Sequence, residues 1–294
     1  MIRESTGEKI FNICNVIFMT FLMVVTLYPL LYVVFVSFST PSEYMRFTGS
    51  MLWHPLGFSL SSYRVVFNNN AIWTGYKNTL FIVIIGTTLN MLLTIIGAYV
   101  LSRQNLMLRR PLTLLTMFTR YFSGGMIPTF LLVRSLGMSN TLWALIIPAA
   151  INTFNLIIMR TAFENVPDSL EESAKIDGAN QLVILVKIMV PLVVPTLAVL
   201  VLYYAVSHWN SWFNAMLYIR DRKLYPLQLI LRELIIQNTG SMDMSLSSSG
   251  DDDAFLSETI KYSTIIVATL PILLLYPFLQ KYFVKGVMVG AVKG

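Results

Sequence analysis

Charge is what this sequence has least of. Acidic and basic residues together make up 12% of its 294 positions, about half of the roughly 25% usual in soluble globular domains. So few charged groups cannot cover a soluble fold that must also hide a hydrophobic content of 55%. A soluble domain, a disordered tail and a nucleic-acid module are therefore excluded, and a mean hydropathy of +0.66 points to a membrane protein. Cysteine is nearly missing too. Cys14 stands alone inside the first apolar run, so there is no intrachain disulfide framework. His54 and His208 are the only histidines and have no second metal-type ligand at suitable spacing, which argues against a metalloenzyme. A G-x-x-x-x-G-K-[ST] phosphate loop is absent, so the chain does not hydrolyse nucleotide by that route. The net charge of +6 comes from basic residues scattered in short loops between apolar runs, the distribution of a topology signal rather than of a polyanion site.

What the sequence does have is apolar length. About 20 apolar residues are needed to cross the hydrocarbon core as a helix. Six stretches qualify: Ile10 to Phe38, Thr79 to Leu101, Pro111 to Val133, Leu142 to Met159, Leu182 to Val206 and Tyr262 to Phe283. The first is too long for a signal-peptide core and no A-x-A-like site follows it, so it is expected to remain as an anchor. Placing the N-terminus in the cytoplasm puts eleven cations inside, Arg3 and Lys9 among them, against nine outside. Five of those nine lie in the long segment between the fifth and sixth spans, where charge counts little, and the compact cluster Arg103, Arg109 and Arg110 supports the same orientation. Both termini are predicted to be cytoplasmic, and residues 1–294 form a single all-α transmembrane domain.

No acidic residue falls inside the six spans. Ion-coupled carriers commonly hold Asp or Glu at membrane depth to bind the coupling ion, so the absence counts against a secondary transporter and leaves a channel or an externally powered transporter. Arg120 lies within the third span. Either it lines a polar cavity, followed by Ser123 and the Gly124-Gly125 pair, or it snorkels to the inner boundary. Gly124-Gly125 and Pro128 either interrupt a helix at a binding site or make a packing kink.

Between the fourth and fifth spans, residues 165–180 read as a short capped helix of about 168–178. Asp168 or Ser169 is placed to accept a backbone N–H, with Glu171 or Glu172 three residues on for a capping box. Gly178 permits positive φ and so a turn before the next span. Val166, Leu170 and Ala174 trace a narrow apolar face flanked by Glu171, Glu172 and Lys175. Such a helix is either a plain surface element or one that docks into a partner's groove.

Glu172-Ser173-Ala174, then Gly178 after three residues and Ile188-Met189-Val190-Pro191 after nine more, resembles the EAA loop of the membrane subunits of binding-protein-dependent ABC importers, usually written E-A-A-x3-G-x9-I-x-L-P. Ser replaces the first Ala and Val the Leu; Glu, Gly and Pro are kept. Tyr28-Pro29-Leu30 through Ser37-Phe38-Ser39 and the ending from Gln280 to Gly294 resemble the carbohydrate-importing branch. Phe122 to Pro128, Leu136-Gly137-Met138 and Tyr225-Pro226-Leu227-Gln228 through Glu233 are similar to its lipoprotein-named, polysaccharide-fragment subgroup.

The resemblance implies a type I ABC importer permease fold with six transmembrane helices and a cytoplasmic EAA coupling helix, in the bacterial cytoplasmic membrane. It implies that the chain is not an enzyme and binds no cofactor itself. The expected partners are a second homologous permease, two ATPase subunits that hold ATP and Mg, an extracytoplasmic solute-binding protein, and a sugar or oligosaccharide. The ATPase-coupling residues would be Glu171, Glu172, Ser173, Ala174, Asp177, Gly178 and Ala179, with Glu172 meeting a basic group of the ATPase. For the sugar, the candidates are Phe122, Ser123 and Gly124, Asn152 and Asn155 on the fourth span, and Trp209, Asn210, Trp212 and Phe213 at the outer end of the fifth. Each has a plainer reading, as an interfacial anchor or a helix-packing amide. Ser39 to Asn78 and the amphipathic pattern Leu227, Ile230, Leu231, Leu234 and Ile235 are outer segments suited to a binding protein, the membrane surface or the translocation mouth. Ser247 to Asp253 lacks the alternating ligands of a calcium loop and reads as a solvated loop. The rival to the importer is an autonomous six-span channel or secondary carrier, which has no use for an EAA loop.

Overall fold

The computed structural model describes residues 5–49, 51–245 and 259–274, and all regular elements among them are helical. In chain order these are α1 (Thr6–Ser37), α2 (Pro41–Arg46), α3 (Ser61–Asn68), α4 (Asn70–Ser102), α5 (Arg109–Tyr121), α6 (Met126–Ser135), α7 (Trp143–Ala149), α8 (Thr153–Glu164), α9 (Asp168–Ile176), α10 (Gln181–Leu192), α11 (Val194–Trp209), α12 (Trp212–Tyr218), α13 (Leu227–Ser245) and α14 (Thr259–Leu274). Arg3, the Ser247 to Asp253 run, the end of the sixth expected span beyond Leu274 and the Gln280 to Gly294 ending lie outside the described residues. The chain divides into two compact units, one drawn from Met1–Asn70 and Leu231–Leu270, the other from Ala71–Ile230 and Pro271–Gly294.

In the first unit α1 starts at a capping box: the Ser5 backbone N–H donates to Glu8 at 2.6 Å and the Ser5 hydroxyl accepts from the Glu8 N–H at 3.3 Å. At 32 residues the helix is about 48 Å long, more than the roughly 30 Å hydrocarbon core, so it tilts or projects beyond it. Phe11, Ile17 and Phe21 stay exposed along it, as does Cys14. Thr20 and Thr26 return their hydroxyls to backbone carbonyls one turn back, at 2.7 and 2.8 Å, so neither hydroxyl is left unpaired facing lipid. The following segment folds onto the helices. Tyr28 accepts from the Leu52 N–H at 3.0 Å, Tyr32 and Tyr44 share a hydrogen bond of 2.9 Å, and Ser62 meets Thr259 at 2.7 Å. Burial, together with hydrogen bonds to Tyr262 and Tyr32, pushes the Tyr44 hydroxyl well above its usual range.

The expected spans survive less simply than the hydropathy suggested. Among the described residues α1 and α4 are long and apolar enough to cross a membrane as single helices, and the count reaches four if each bent helix pair is one span. α4 already begins at Asn70, ahead of the Thr79 expected. The third expected span, Pro111 to Val133, divides into α5 and α6 around Phe122–Gly125, where Gly125 takes φ +89° and Pro128 can donate no N–H to the new first turn. The fourth bends by 49° between α7 and α8, after Pro148, and the fifth by 86° between α10 and α11, flanked by Pro191 and Pro195.

The second unit is organised along α4. Gly75, Thr79, Ile82, Gly86, Asn90, Thr94 and Ala98 recur every three or four residues and are buried, a stripe of mostly small or polar side chains that admits close neighbours. Two apolar clusters flank it, one around Ile82, Val133, Leu145, Ile146 and Tyr218, the other around Met91, Tyr99, Met159, Phe163, Ile184 and Leu200. The amphipathic α13 is real, but Leu227 and Ile230 pack against α4 instead of lying on a membrane surface. A Cβ on Gly75 would come within 3.0 Å of the Leu227 backbone, and the Leu227 N–H donates to the Thr79 hydroxyl at 2.8 Å.

Gly86 makes room for His208, since a Cβ there would lie 2.6 Å from the ring's Nε2. Gly86→Ala is expected to destabilise the protein by about 1–3 kcal/mol, the range for overpacking. Melting of detergent-solubilised protein measures it, and the cost in the Gly86→Ala/His208→Ala pair should fall short of the sum of the single changes.

Candidate functional site

α9 sits where the resemblance places the coupling helix. Its start corrects the capping box expected from Asp168 or Ser169: the N-cap residue is Pro167, which offers no side-chain acceptor, and both residues already lie in the first turn. There Asp168 and Glu171 act on the helix dipole instead. Its end follows the expected glycine turn. Gly178 has φ +81°, the Gly178 N–H reaches the Lys175 carbonyl at 3.0 Å and the Ala179 N–H reaches that of Ala174 at 2.9 Å, the paired bonds of a Schellman motif.

The two glutamates part company. Glu171 turns inward and is buried, ion-paired to Arg103 just after α4 and to Lys175 Nζ at 2.8 Å. Arg103 also lies over the Tyr99 ring, 4.8 Å from its centroid, and the Tyr99 hydroxyl donates to Gln181 at the start of α10 at 2.6 Å. Glu172, Ser173 and Asp177 face outward. The expected Val166, Leu170, Ala174 stripe does not form an exposed face either. Ala174 is buried in the core and Val166 packs against it, because the side of α9 that carries Glu171 is the side seated on α4. The apolar groups left open are Leu170, Ile176 (86% exposed) and Leu182 (71% exposed). A cavity of about 500 Å³, lined by Arg103, Gln104, Asp168, Glu172 and Lys175 among others, lies beside them. Next to it, Glu164 holds both Arg109 and Arg160, and Arg160 donates to Thr113 at 3.2 Å, which pins this end of α8 to α5.

At the other end of α8 is a polar cavity of about 390 Å³, built on the α7–α8 break. The break frees backbone groups that apolar surroundings cannot satisfy. Asn90 of α4 donates to the carbonyls of Ala149 and Ala150 at 2.5 and 2.9 Å. With its amide nitrogen so engaged, its oxygen accepts from His208 Nε2 at 2.6 Å. Tyr204 accepts from the Asn152 N–H at 3.2 Å and pairs with the Thr94 hydroxyl at 2.8 Å. Asn152 caps α8 by accepting from the Asn155 N–H at 3.2 Å. Arg120 sits at the rim, 5.4 Å over the Phe154 ring, and Thr119 meets Thr153 at 3.2 Å.

Arg120, Asn152 and Asn155 thus line one cavity, together with Tyr203, Tyr204, Ser207 and His208 of α11. The spacing of the last four, on one face of a helix, is the signal that would have found them. The other candidates lie apart from it. Phe122, Ser123 and Gly124 form the α5–α6 break, with Phe122 stacked on Phe118 at 5.0 Å. Trp209 is buried against Tyr76, the Asn210 side chain turns back to the Val206 carbonyl at 2.9 Å, and Trp212 packs on the second cluster with Phe213 at its edge.

No family model matches the chain. Among curated proteins it is 44% identical to the polygalacturonan/rhamnogalacturonan transport system permease protein YtcP of Bacillus subtilis (strain 168), with 98% of this chain and 99% of that protein covered. It is 41% identical to Protein LplC of the same organism, with 99% and 98% covered. Among solved structures it is similar to a chain of a bacterial ABC transporter involved in the import of the acidic polysaccharide alginate, at 32% identity and a TM-score of 0.86 over 96% of this chain and all of that one. A chain of an alginate ABC transporter in complex with an alginate pentasaccharide-bound periplasmic protein shares the fold at 15% identity and a TM-score of 0.56, with 92% and 96% covered.

Removing the Glu171 charge strands Arg103 against a largely buried surface. Glu171→Gln is expected to cost about 3 kcal/mol, as when one partner of a buried ion pair is removed, and Glu172→Gln much less because that side chain is exposed. Thermal unfolding of the two variants side by side checks the ranking.

Proposed function

The chain belongs to the permease subunits of ABC transporters for sugars and polysaccharides, and from that premise we propose that it forms half of the translocation pathway of an ATP-driven oligosaccharide importer, with α9 as the element that receives the motor's stroke. As a permease it is an inner-membrane transporter subunit and not an enzyme. The proposed assembly pairs it with a second, homologous permease above two ATPase subunits that bind ATP and Mg, and an external solute-binding protein delivers the sugar. The alginate importer, solved with a periplasmic protein, is the parallel. Six spans with both termini in the cytoplasm complete the proposal.

The observation that carries it is the division of labour on α9. Glu171, Ala174 and the Schellman turn lock the helix to the ends of α4 and α10, while Glu172, Leu170 and Ile176 stay outside for a partner. A helix so held moves with the elements it is bonded to, so a push on its outer face is delivered to α4 as a rigid-body displacement. Energy arriving by that route needs neither a phosphate loop nor an intramembrane carboxylate in this chain. Glu172 supplies the outward charge for a basic group of the ATPase, and the exposed apolar residues fill its groove.

Glu172→Lys reverses that charge on a surface position. The variant should insert and melt like the wild type, while its sugar uptake falls at least tenfold and the ATPase subunits either fail to copurify or hydrolyse ATP without transport. Uptake at the wild-type rate overturns the assignment, as does transport by the chain alone without ATPase subunits.

A further inference from the structure

We infer that the cavity at the α7–α8 break is a carboxylate-recognition site, in which Arg120 takes the acid group of a uronate-containing oligosaccharide. This rests on the importer reading above and adds the chemistry of the cargo.

Arg120 lies near the end of α5, about 16 Å along the helix axis from Arg109 at 1.5 Å per residue. That is more than the reach of an arginine side chain, so Arg120 does not share the polar Arg109 end of the helix. The side-chain contacts put the two arginines at opposite ends of a helix pair. α5 and α8 run antiparallel, joined by Arg109 and Glu164 at one end and by Arg120 and Phe154 at the other. A cation among apolar helices is costly and ordinarily has an acidic partner or faces water. Among the described residues Arg120 forms no ion pair, although Arg103, Arg109 and Arg160 all do. Its contact is with the face of Phe154, which covers the flat side of the guanidinium and leaves the N–H groups around its edge for a ligand.

The rest of the lining matches a sugar acid. Asn152, Tyr203 and Ser207 are exposed to the cavity and present amide and hydroxyl groups suited to sugar hydroxyls. α8 begins at the same place, so the positive end of its dipole adds to the field of Arg120. Among the described residues Arg120 is the one permanently charged group in the lining. A single guanidinium fork balances a monoanionic carboxylate bidentately, whereas a phosphate dianion calls for more positive charge than is there. The cavity therefore selects for a uronate over a neutral or a phosphorylated sugar.

The test uses the complete importer, with its partner permease, ATPases and binding protein, in proteoliposomes. The probes are a galacturonate trisaccharide, its methyl ester, which keeps the backbone but not the charge, and neutral arabinotriose. Wild type should take up the acid in an ATP-dependent manner. Arg120→Gln should lower that uptake at least tenfold while changing uptake of the methyl ester less than twofold, so the ester reports that the variant is folded and coupled. Arg120→Lys, which keeps the charge but not the fork, should fall between. If Arg120→Gln changes acid and ester uptake alike, or changes neither, the carboxylate site is wrong and the importer reading stands. Wild-type uptake of neutral probes alone also overturns the site and leaves the importer. ATP-dependent uptake of no probe removes the importer reading itself.

Discussion

A helix that breaks inside apolar surroundings must find partners for the backbone groups the break exposes, and at the α7–α8 break much of that constraint is met by one asparagine. Asn90 spends both amide hydrogens on the carbonyls that end α7 and its oxygen on His208. Tyr204 adds to the arrangement by accepting from the Asn152 N–H at the start of α8. Unpaired, each of these groups would cost several kcal/mol in a bilayer core. Gly86 belongs to the same device, because only a residue without a Cβ leaves His208 room to reach Asn90. The polar cavity follows from this solution: Tyr204 and His208, which bond to the break and to Asn90, also line the space in front of α8.

The helix that carries Asn90 also holds α9. From Asn90 and Thr94, which bond to the cavity-lining His208 and Tyr204, α4 runs on to Tyr99, which bonds to α10, and Arg103 follows directly after it to hold α9. The separation from Asn90 to Arg103 is about 20 Å at 1.5 Å per residue. One helix, α4, therefore runs from the groups behind the cavity to the end that holds α9, and the core around Tyr99, Met159 and Phe163 packs along it.

Sequence patterns spoke clearly where the physics is local. Apolar runs located the long helices α1 and α4, Gly178 located the end of α9, and Glu172-Ser173-Ala174 with its spaced Gly and Pro located the family. The capping box at Asp168 or Ser169 was misread because the helix starts one residue earlier at a proline, and a backbone choice of one residue moves every capping role. The apolar stripe Val166, Leu170, Ala174 was misread for a different reason. Periodicity identifies a face, and packing decides whether that face is covered; here Glu171, drawn in by Arg103, brought Ala174 with it.

Taken alone, the sequence determined the solvent, the all-helical class and the family, because hydrophobic run length, charge scarcity and a short motif are properties of neighbouring residues. Only the tertiary structure decided which glutamate points inward, where the spans break, and that Arg120 of α5, Asn152 and Asn155 at the start of α8 and His208 of α11 line one cavity. Those outcomes depend on contacts between residues far apart in the chain, such as Asn90 with His208 and Arg103 with Glu171. Their physical reason is the cost of unsatisfied polar groups in apolar surroundings, which sets no pattern along the sequence and acts only once the helices are packed.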